Sequence, residues 1–229
     1  MCYSRGGGNW FLVLRSRVLI FRNFAGMLVK IYDKEPSEKH IRQAARMLSD
    51  GGVVIFPTDT IYAIGCSIYS QKAHERIARI KGLNPKNANF SFLFYDLSHL
   101  SEYTRPISNE VYKMMRRNLP GPYTFILNAN SNVPKILGIR KKTVGIRIPD
   151  NPVLLEILKE LGKPIMSTSV HDDDEVLEYT TDPELIHERY KDMVDLVIDG
   201  GHGDNTPSTI IDCTGEEILM VREGKGEIE

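Results

Sequence analysis

The sequence predicts an α/β fold built on a twisted, mixed sheet flanked by helices. Three observations lead there. Short runs of consecutive apolar residues, such as 53–56 and 92–95, suit strands buried on both faces. Segments between them repeat apolar residues at helical spacing and carry helix-start signals. The two kinds of element do not alternate strictly, and the last three strand-like runs follow one another closely, which favours a mixed sheet over a purely parallel one.

Residues 28–32 read as a first strand. Ser37 reads as the N-cap of a helix whose Ile41, Ala44, Ala45 and Leu48 share one face, and Gly51 and Gly52 end it. Residues 53–56 form a buried strand. A second helix over 71–81 turns Ala73, Ile77 and Ile80 inward and stops at Gly82. Residues 92–95 are another buried strand. Ser108 caps a helix reaching Asn118, with Val111, Met114 and Met115 inward. After the Pro120-Gly121-Pro122 turn, 123–127 and 143–148 read as strands. Pro152 starts a helix that ends near Gly162, 165–168 is a short strand, and Asp182 with Pro183 opens one more helix. Residues 196–198, 209–212 and 218–221 are the closing strands.

The chain has 229 residues, 41% hydrophobic and 26% charged, as expected of a globular protein with one sizeable core. Its net charge of -1 conceals an asymmetry: residues 72–147 hold 14 Lys/Arg against 4 Asp/Glu. Such a basic stretch suits phosphates or nucleic acid, or a set of solvated helix faces. Three cysteines without a C-x-x-C pair, Cys2, Cys66 and Cys213, point to a reducing cytoplasm rather than to disulfides or zinc. Residues 10–21 are apolar but interrupted by Arg15 and Arg17, too short to span a bilayer and poorly arranged for a signal peptide. Residues 1–26 are therefore expected to be a non-native extension, with a single domain over 27–229 opening at Met27.

Six segments carry the chemistry. Pro57-Thr58-Asp59-Thr60-Ile61-Tyr62 packs two hydroxyls, a carboxylate and a phenol just beyond a buried strand, where open α/β sheets bind ligands; it also suits a turn closed by side-chain hydrogen bonds. Lys81-Gly82-Leu83 offers a cation to a triphosphate, or to the end of its own helix. Pro120-Gly121-Pro122-Tyr123-Thr124 is a rigid turn feeding a strand. In Val144-Gly145-Ile146-Arg147-Ile148-Pro149, the charge of Arg147 inside an apolar strand needs either an internal partner or a ligand anion. Ser167-Thr168-Ser169 groups three hydroxyls at a strand end, fit for phosphate or for capping. Pro207-Ser208-Thr209 follows a Gly-rich loop. No P-loop, G-x-G-x-x-G or G-x-S-x-G motif is present. The run from His171 to Glu175 reads as an acidic loop rather than a metal site.

In this order the six segments resemble the YrdC/YciO/YwlC family over nearly the whole chain after residue 27. The resemblance implies a YrdC-like fold around a concave basic cavity, and the threonylcarbamoyl-AMP synthase reaction that serves tRNA modification. Implied substrates are ATP, L-threonine and bicarbonate, with Mg²⁺ accompanying ATP and no metal site on the protein. It implies that Thr58, Thr60 and Tyr62 surround threonine and bicarbonate, that Lys81 meets ATP phosphates, and that Pro122 and Thr124 shape the nucleotide pocket. Arg147 faces the carboxylate or carbamoyl end, Ser167, Thr168 and Ser169 contact nucleotide or phosphate, and Ser208 and Thr209 close the site. Double-stranded RNA or tRNA binding without synthase chemistry is the alternative that the same family implies.

The sequence departs from the synthase pattern twice. Leu83 stands where the synthases carry an arginine, and His171 where they carry an asparagine. Both departures, with Lys81-Gly82-Leu83 and the acidic loop, place the resemblance nearest the YciO branch.

Overall fold

The computed structural model of the chain describes residues 3–6, 9–14, 17–21, 26–31, 36–84, 90–137, 141–170 and 180–227. Three N-terminal strands, β1 (Tyr3–Gly6), β2 (Asn9–Leu14) and β3 (Arg17–Phe21), form an antiparallel sheet of their own. A ten-stranded sheet contains the rest: β4 (Met27–Lys30), β5 (Val54–Phe56), β6 (Ala63–Ser67), β7 (Ser91–Leu93), β8 (Tyr123–Asn128), β9 (Thr143–Arg147), β10 (Ile165–Ser169), β11 (Leu196–Asp199), β12 (Thr209–Asp212) and β13 (Leu219–Arg222). Their spatial order is β13-β12-β8-β9-β7-β10-β6-β5-β11-β4. Parallel pairs (β11 with β4 and β5, β12 with β8, β7 with β9) occur beside antiparallel ones, so the sheet is mixed as the sequence predicts.

Among the described residues six α-helices flank the sheet: α1 (Glu38–Ser49), α2 (Gln71–Ile80), α3 (Asn109–Asn118), α4 (Asn132–Leu137), α5 (Pro152–Leu161) and α6 (Pro183–Tyr190). Strand side chains alternate between faces, so the buried strands feed two cores. On one face Ile55, Ile64, Phe92, Met166 and Val197 meet Ile77 of α2, Val111 and Met115 of α3, Val133 of α4 and Ile186 of α6. On the other, Val54, Phe56, Leu93, Ile165 and Leu196 meet Ile41, Ala44 and Leu48 of α1 and Val153, Leu154, Ile157 and Leu158 of α5.

The second face is covered only in part, and that asymmetry makes room for a site. Strands β8, β9 and β12 send Phe125, Val144, Ile146 and Ile211 into the first core. Their opposite side chains, including Thr124, Arg147 and Ile210, lie beyond the reach of the α1–α5 layer and line a cleft instead.

Local signals account for most boundaries. Ser108 Oγ accepts from Val111 N at 3.2 Å, Asn151 Oδ1 accepts from Leu154 N at 3.0 Å, and Asp182 Oδ1 accepts from Glu184 N at 2.8 Å, each capping a helix start. Gly162 ends α5 in the left-handed region, φ 65°. One expectation needs correction: Ser37 occupies the N-cap of α1 but its side chain makes no capping hydrogen bond. Two elements are not among the expected ones: residues 63–67 are the strand β6, antiparallel to β5, and α4 is a helix of barely more than one turn.

Candidate functional site

The cleft has a volume of about 430 Å³ and opens on the uncovered part of the sheet. Its floor follows from strand register. Ser167 of β10 lies beside Ser91 of β7, which lies beside Gly145 of β9; one step along, Ile165, Leu93 and Arg147 form the next row. Leu93 and Ala63 border both the α1–α5 core and the cleft. Gly145 keeps the floor low: a Cβ there would stand 2.9 Å from Ser91 Oγ and 3.3 Å from Thr124 Cγ2. Gly145→Ala is expected to weaken binding of any ligand seated on this floor roughly tenfold, the usual effect of one methyl group in a fitted pocket. Titration calorimetry with a ligand of the wild-type cleft checks it, alongside a urea midpoint that stays near wild type.

One wall is the loop between β5 and β6. Its Asp59 carboxylate pairs with the Arg147 guanidinium, and both side chains are about nine-tenths buried, 9% and 11% exposed. Arg147 Nη2 also donates to Thr60 Oγ1 at 2.7 Å and to Thr58 Oγ1 at 3.3 Å. Thr58 donates its own proton to Ile61 O at 2.8 Å and accepts from Thr60 N at 3.0 Å. Thr58 Oγ1 and Thr60 Oγ1 lie 3.1 Å apart, and because the Thr58 proton is given to Ile61 O, the Thr60 hydroxyl is placed to donate to Thr58. The sequence left open whether Arg147 has an internal partner or faces a ligand; it has the partner and still lines the cleft. Arg147 Nε and Asp59 Oδ2 are buried without hydrogen-bond partners.

The opposite wall comes from β8, β12 and β13. Thr124 Oγ1 lies 2.9 Å from Ser208 Oγ. Arg222 grips Ser208 with Nε and Nη2 on its carbonyl, at 3.1 and 2.8 Å, and Nη2 3.3 Å from its hydroxyl. Asn205 and Pro207 also line the cleft. The charged side chains lining the cleft among the described residues are two guanidiniums, Arg147 and Arg222, and no carboxylate lines it. That arrangement favours an anionic ligand.

Thr58, Thr60, Thr124, Arg147, Ser167, Thr168, Ser169 and Ser208 thus gather on one cavity. Four expected contacts do not line it. Tyr62 is fully buried; its hydroxyl donates to Gly201 O at 2.7 Å and accepts from Gly200 N at 3.1 Å, fixing the Gly-rich loop. Lys81 caps α2 and reaches Val170 O at 3.2 Å, behind Ser169. Thr209 is fully buried, with Oγ1 donating to Gly226 O at 2.6 Å; Pro122 O accepts from Thr209 N at 2.9 Å. These four hold the walls from behind. Leu83 is exposed, and His171 lies outside the described residues. Sequence reasoning missed Ser91, Asn205, Pro207 and Arg222 as lining residues, because nothing in a lone serine or a surface-strand arginine announces a shared cavity.

No protein nucleophile stands out. Burial pushes the Cys66 thiol far up, and burial together with the Asp212 carboxylate pushes Cys213 up to about 11. No group of three His, Cys, Asp or Glu side chains able to hold a metal occurs among the described residues. No helix among them is long and apolar enough to cross a membrane.

Comparison with known proteins places this geometry. The family profile for Sua5, YciO and YrdC proteins, described as "Telomere recombination", matches residues 46–224. The chain belongs to the Sua5/YciO/YrdC family. YciO of Escherichia coli K12 is 41% identical over 201 residues, covering 87% of this chain and 96% of that protein. The crystal structure of E. coli YciO superposes with a TM-score of 0.81 at 38% identity, over 89% of this chain and 98% of that one. The threonylcarbamoyl-AMP synthase of Vibrio vulnificus YJ016 is 26% identical over 183 residues, 79% of this chain and 97% of the synthase. Sua5 of P. abyssi, crystallised with L-threonine, gives a TM-score of 0.78 at 25% identity, over 86% of this chain and 57% of that one. The YrdC-like fold expected from the sequence is therefore the fold of this Sua5/YciO/YrdC protein, and its similarity is greater to YciO than to the synthases.

Proposed function

We propose that the cleft binds an adenine nucleotide beside an amino acid and makes L-threonylcarbamoyladenylate from L-threonine, bicarbonate and ATP. The observation that carries this reading is the convergence of Arg147, Arg222 and the hydroxyls of Thr60, Ser167, Ser169 and Ser208 on one cavity without a lining carboxylate. The synthase relatives and the threonine-bound Sua5 structure support the choice of substrates.

The threonine amine attacks the carbon of bicarbonate, and water leaves to give a carbamate. A carbamate oxygen then attacks the ATP α-phosphorus, the bond to the bridging oxygen breaks, and pyrophosphate leaves. Water and protons go to solvent. Such a reaction depends on positioning and on neutralised charge more than on a protein nucleophile. Arg147 suits a carboxylate or carbamate, and Arg222 and the serines suit the phosphates. No acidic cage for Mg²⁺ lines the cleft among the described residues, so Mg²⁺ enters as the counter-ion of ATP and no step is assigned to it.

Leu83 tempers the rate: without the arginine of the synthase pattern, one charged phosphate contact of about 1.5–3 kcal/mol is missing. Pyrophosphate release that requires threonine, bicarbonate and ATP together is the expected result, at a rate below that of a synthase assayed in parallel. Release that ignores threonine, or no ATP binding by calorimetry, overturns the reading.

A further inference from the structure

A second hollow, of about 540 Å³, lies behind the β5–β6 loop. It shares Thr58, Thr60 and Asn205 with the cleft, so the wall between the two cavities is one residue thick at those positions. Thin walls made of loops hold their shape only when something ties them. The tie visible here comes from the C-terminal segment, which lies outside the six motifs.

We infer that Lys225 is a positioning residue that braces the ligand-binding wall of the cleft from outside. Its Nζ donates to Asp59 O at 2.8 Å and pairs with Asp204 Oδ2 at 2.8 Å. The two acceptors belong to the two segments that form the wall. Asp59 holds Arg147, and Asp204 precedes Asn205 and donates its own N–H to Thr60 O at 3.1 Å. Lys225 touches no lining surface of the cleft, so it acts through Asp59 and Thr60.

The backbone that launches this side chain is itself fixed. Lys225 N donates to Pro207 O at 2.8 Å, Gly224 N to Thr209 Oγ1 at 3.0 Å, and the Tyr123 hydroxyl bonds Glu227 O. A Cβ at Gly224 would lie 2.3 Å from Pro207 O, and one at Gly226 2.4 Å from Tyr123 Cε1, so the segment is seated too closely for side chains there. The Lys225 ammonium, with three donors on a flexible stem, is the group in that segment able to reach both loops. The pair also withstands acid. The Lys225 hydrogen bond, followed by the Thr206 amide, holds the Asp204 carboxyl down to about 2. Its contribution is complete above the ordinary carboxylate range near 4 and is lost as pH falls through about 2.

The inference rests on the proposed function for its ligands but not for its first readout. Hydrogen exchange is measured on the full chain for the Thr60 and Asp204 amides in wild type, Lys225→Met and Lys225→Arg. Lys225→Met is expected to lower protection of both about fivefold, the scale of one partly exposed charged contact, and Lys225→Arg to restore it within about twofold. Unchanged protection in Lys225→Met overturns the brace, whatever the ligand. Titration with ATP and with L-threonine separately is the second readout: affinity falls about fivefold in Lys225→Met and recovers in Lys225→Arg, with the thermal midpoint near wild type. Wild-type affinity in Lys225→Met, despite lost protection, overturns the positioning role. Failure of wild type to bind either probe overturns the proposed function instead, and leaves the exchange result to decide the brace.

Discussion

Arg147→Met is expected to lower stability by about 3 kcal/mol and to abolish measurable ligand binding. The substitution leaves the Asp59 carboxylate buried without its cation, and breaking one side of a buried pair costs about 3–5 kcal/mol. Part of that is recovered because the site borders an open cleft, hence the lower end of the range. Thr60 Oγ1 loses its 2.7 Å donor at the same time, so the loop that presents it loosens. In a domain of about 200 residues, a thermal midpoint lower by roughly 6–12 °C corresponds to that loss. Asp59→Asn with Arg147→Met removes the stranded charge and is expected to return most of the stability but none of the binding. Recovery of both would show Arg147 to be structural only. Calorimetric melting and ATP titration on wild type and the two variants separate the two roles.

The second large effect is on affinity alone. Arg222→Met is expected to weaken ATP binding ten- to a hundredfold, the equivalent of one charged hydrogen bond of about 1.5–3 kcal/mol. Arg222 sits on an edge strand whose side chains are exposed, so the core does not depend on it. Its guanidinium is held by two bonds to Ser208 O and lines the cleft. Threonine affinity, if the amino acid sits at the Arg147 end, changes little. Equal losses for ATP and threonine would contradict the division of the cleft into two ends.

Much of the fold was legible because the signals are local. The helices of 38–49, 71–80 and 152–161 carry amphipathic spacing with marked ends, and β5, β7 and β11 are apolar runs that only a doubly covered strand tolerates. Strand β6 escaped notice because Ala63, Gly65 and Cys66 form no β-branched run; its pairing with β5 and β10 makes it a strand. For the site, the same distinction holds. Thr60, Arg147 and Ser167 stand out as polar groups in apolar surroundings. Tyr62 and Thr209 stand out equally, yet both are turned into the interior, where a backbone partner satisfies them.

By itself the sequence determined the α/β class, most of the elements in their order, the family and the set of polar residues that an apolar sheet has no ordinary use for. Strand register and the reach of α1 and α5 decided the rest. Because side chains alternate along a strand, one register puts Ser167, Ser91 and Gly145 in a single row, and because α1 and α5 cover only part of that face, the row meets solvent rather than helix. Which motif residues face the cavity, that Arg222 joins them, and that Lys225 reaches their loops from outside depend on contacts between residues far apart in the chain. No local pattern encodes those contacts.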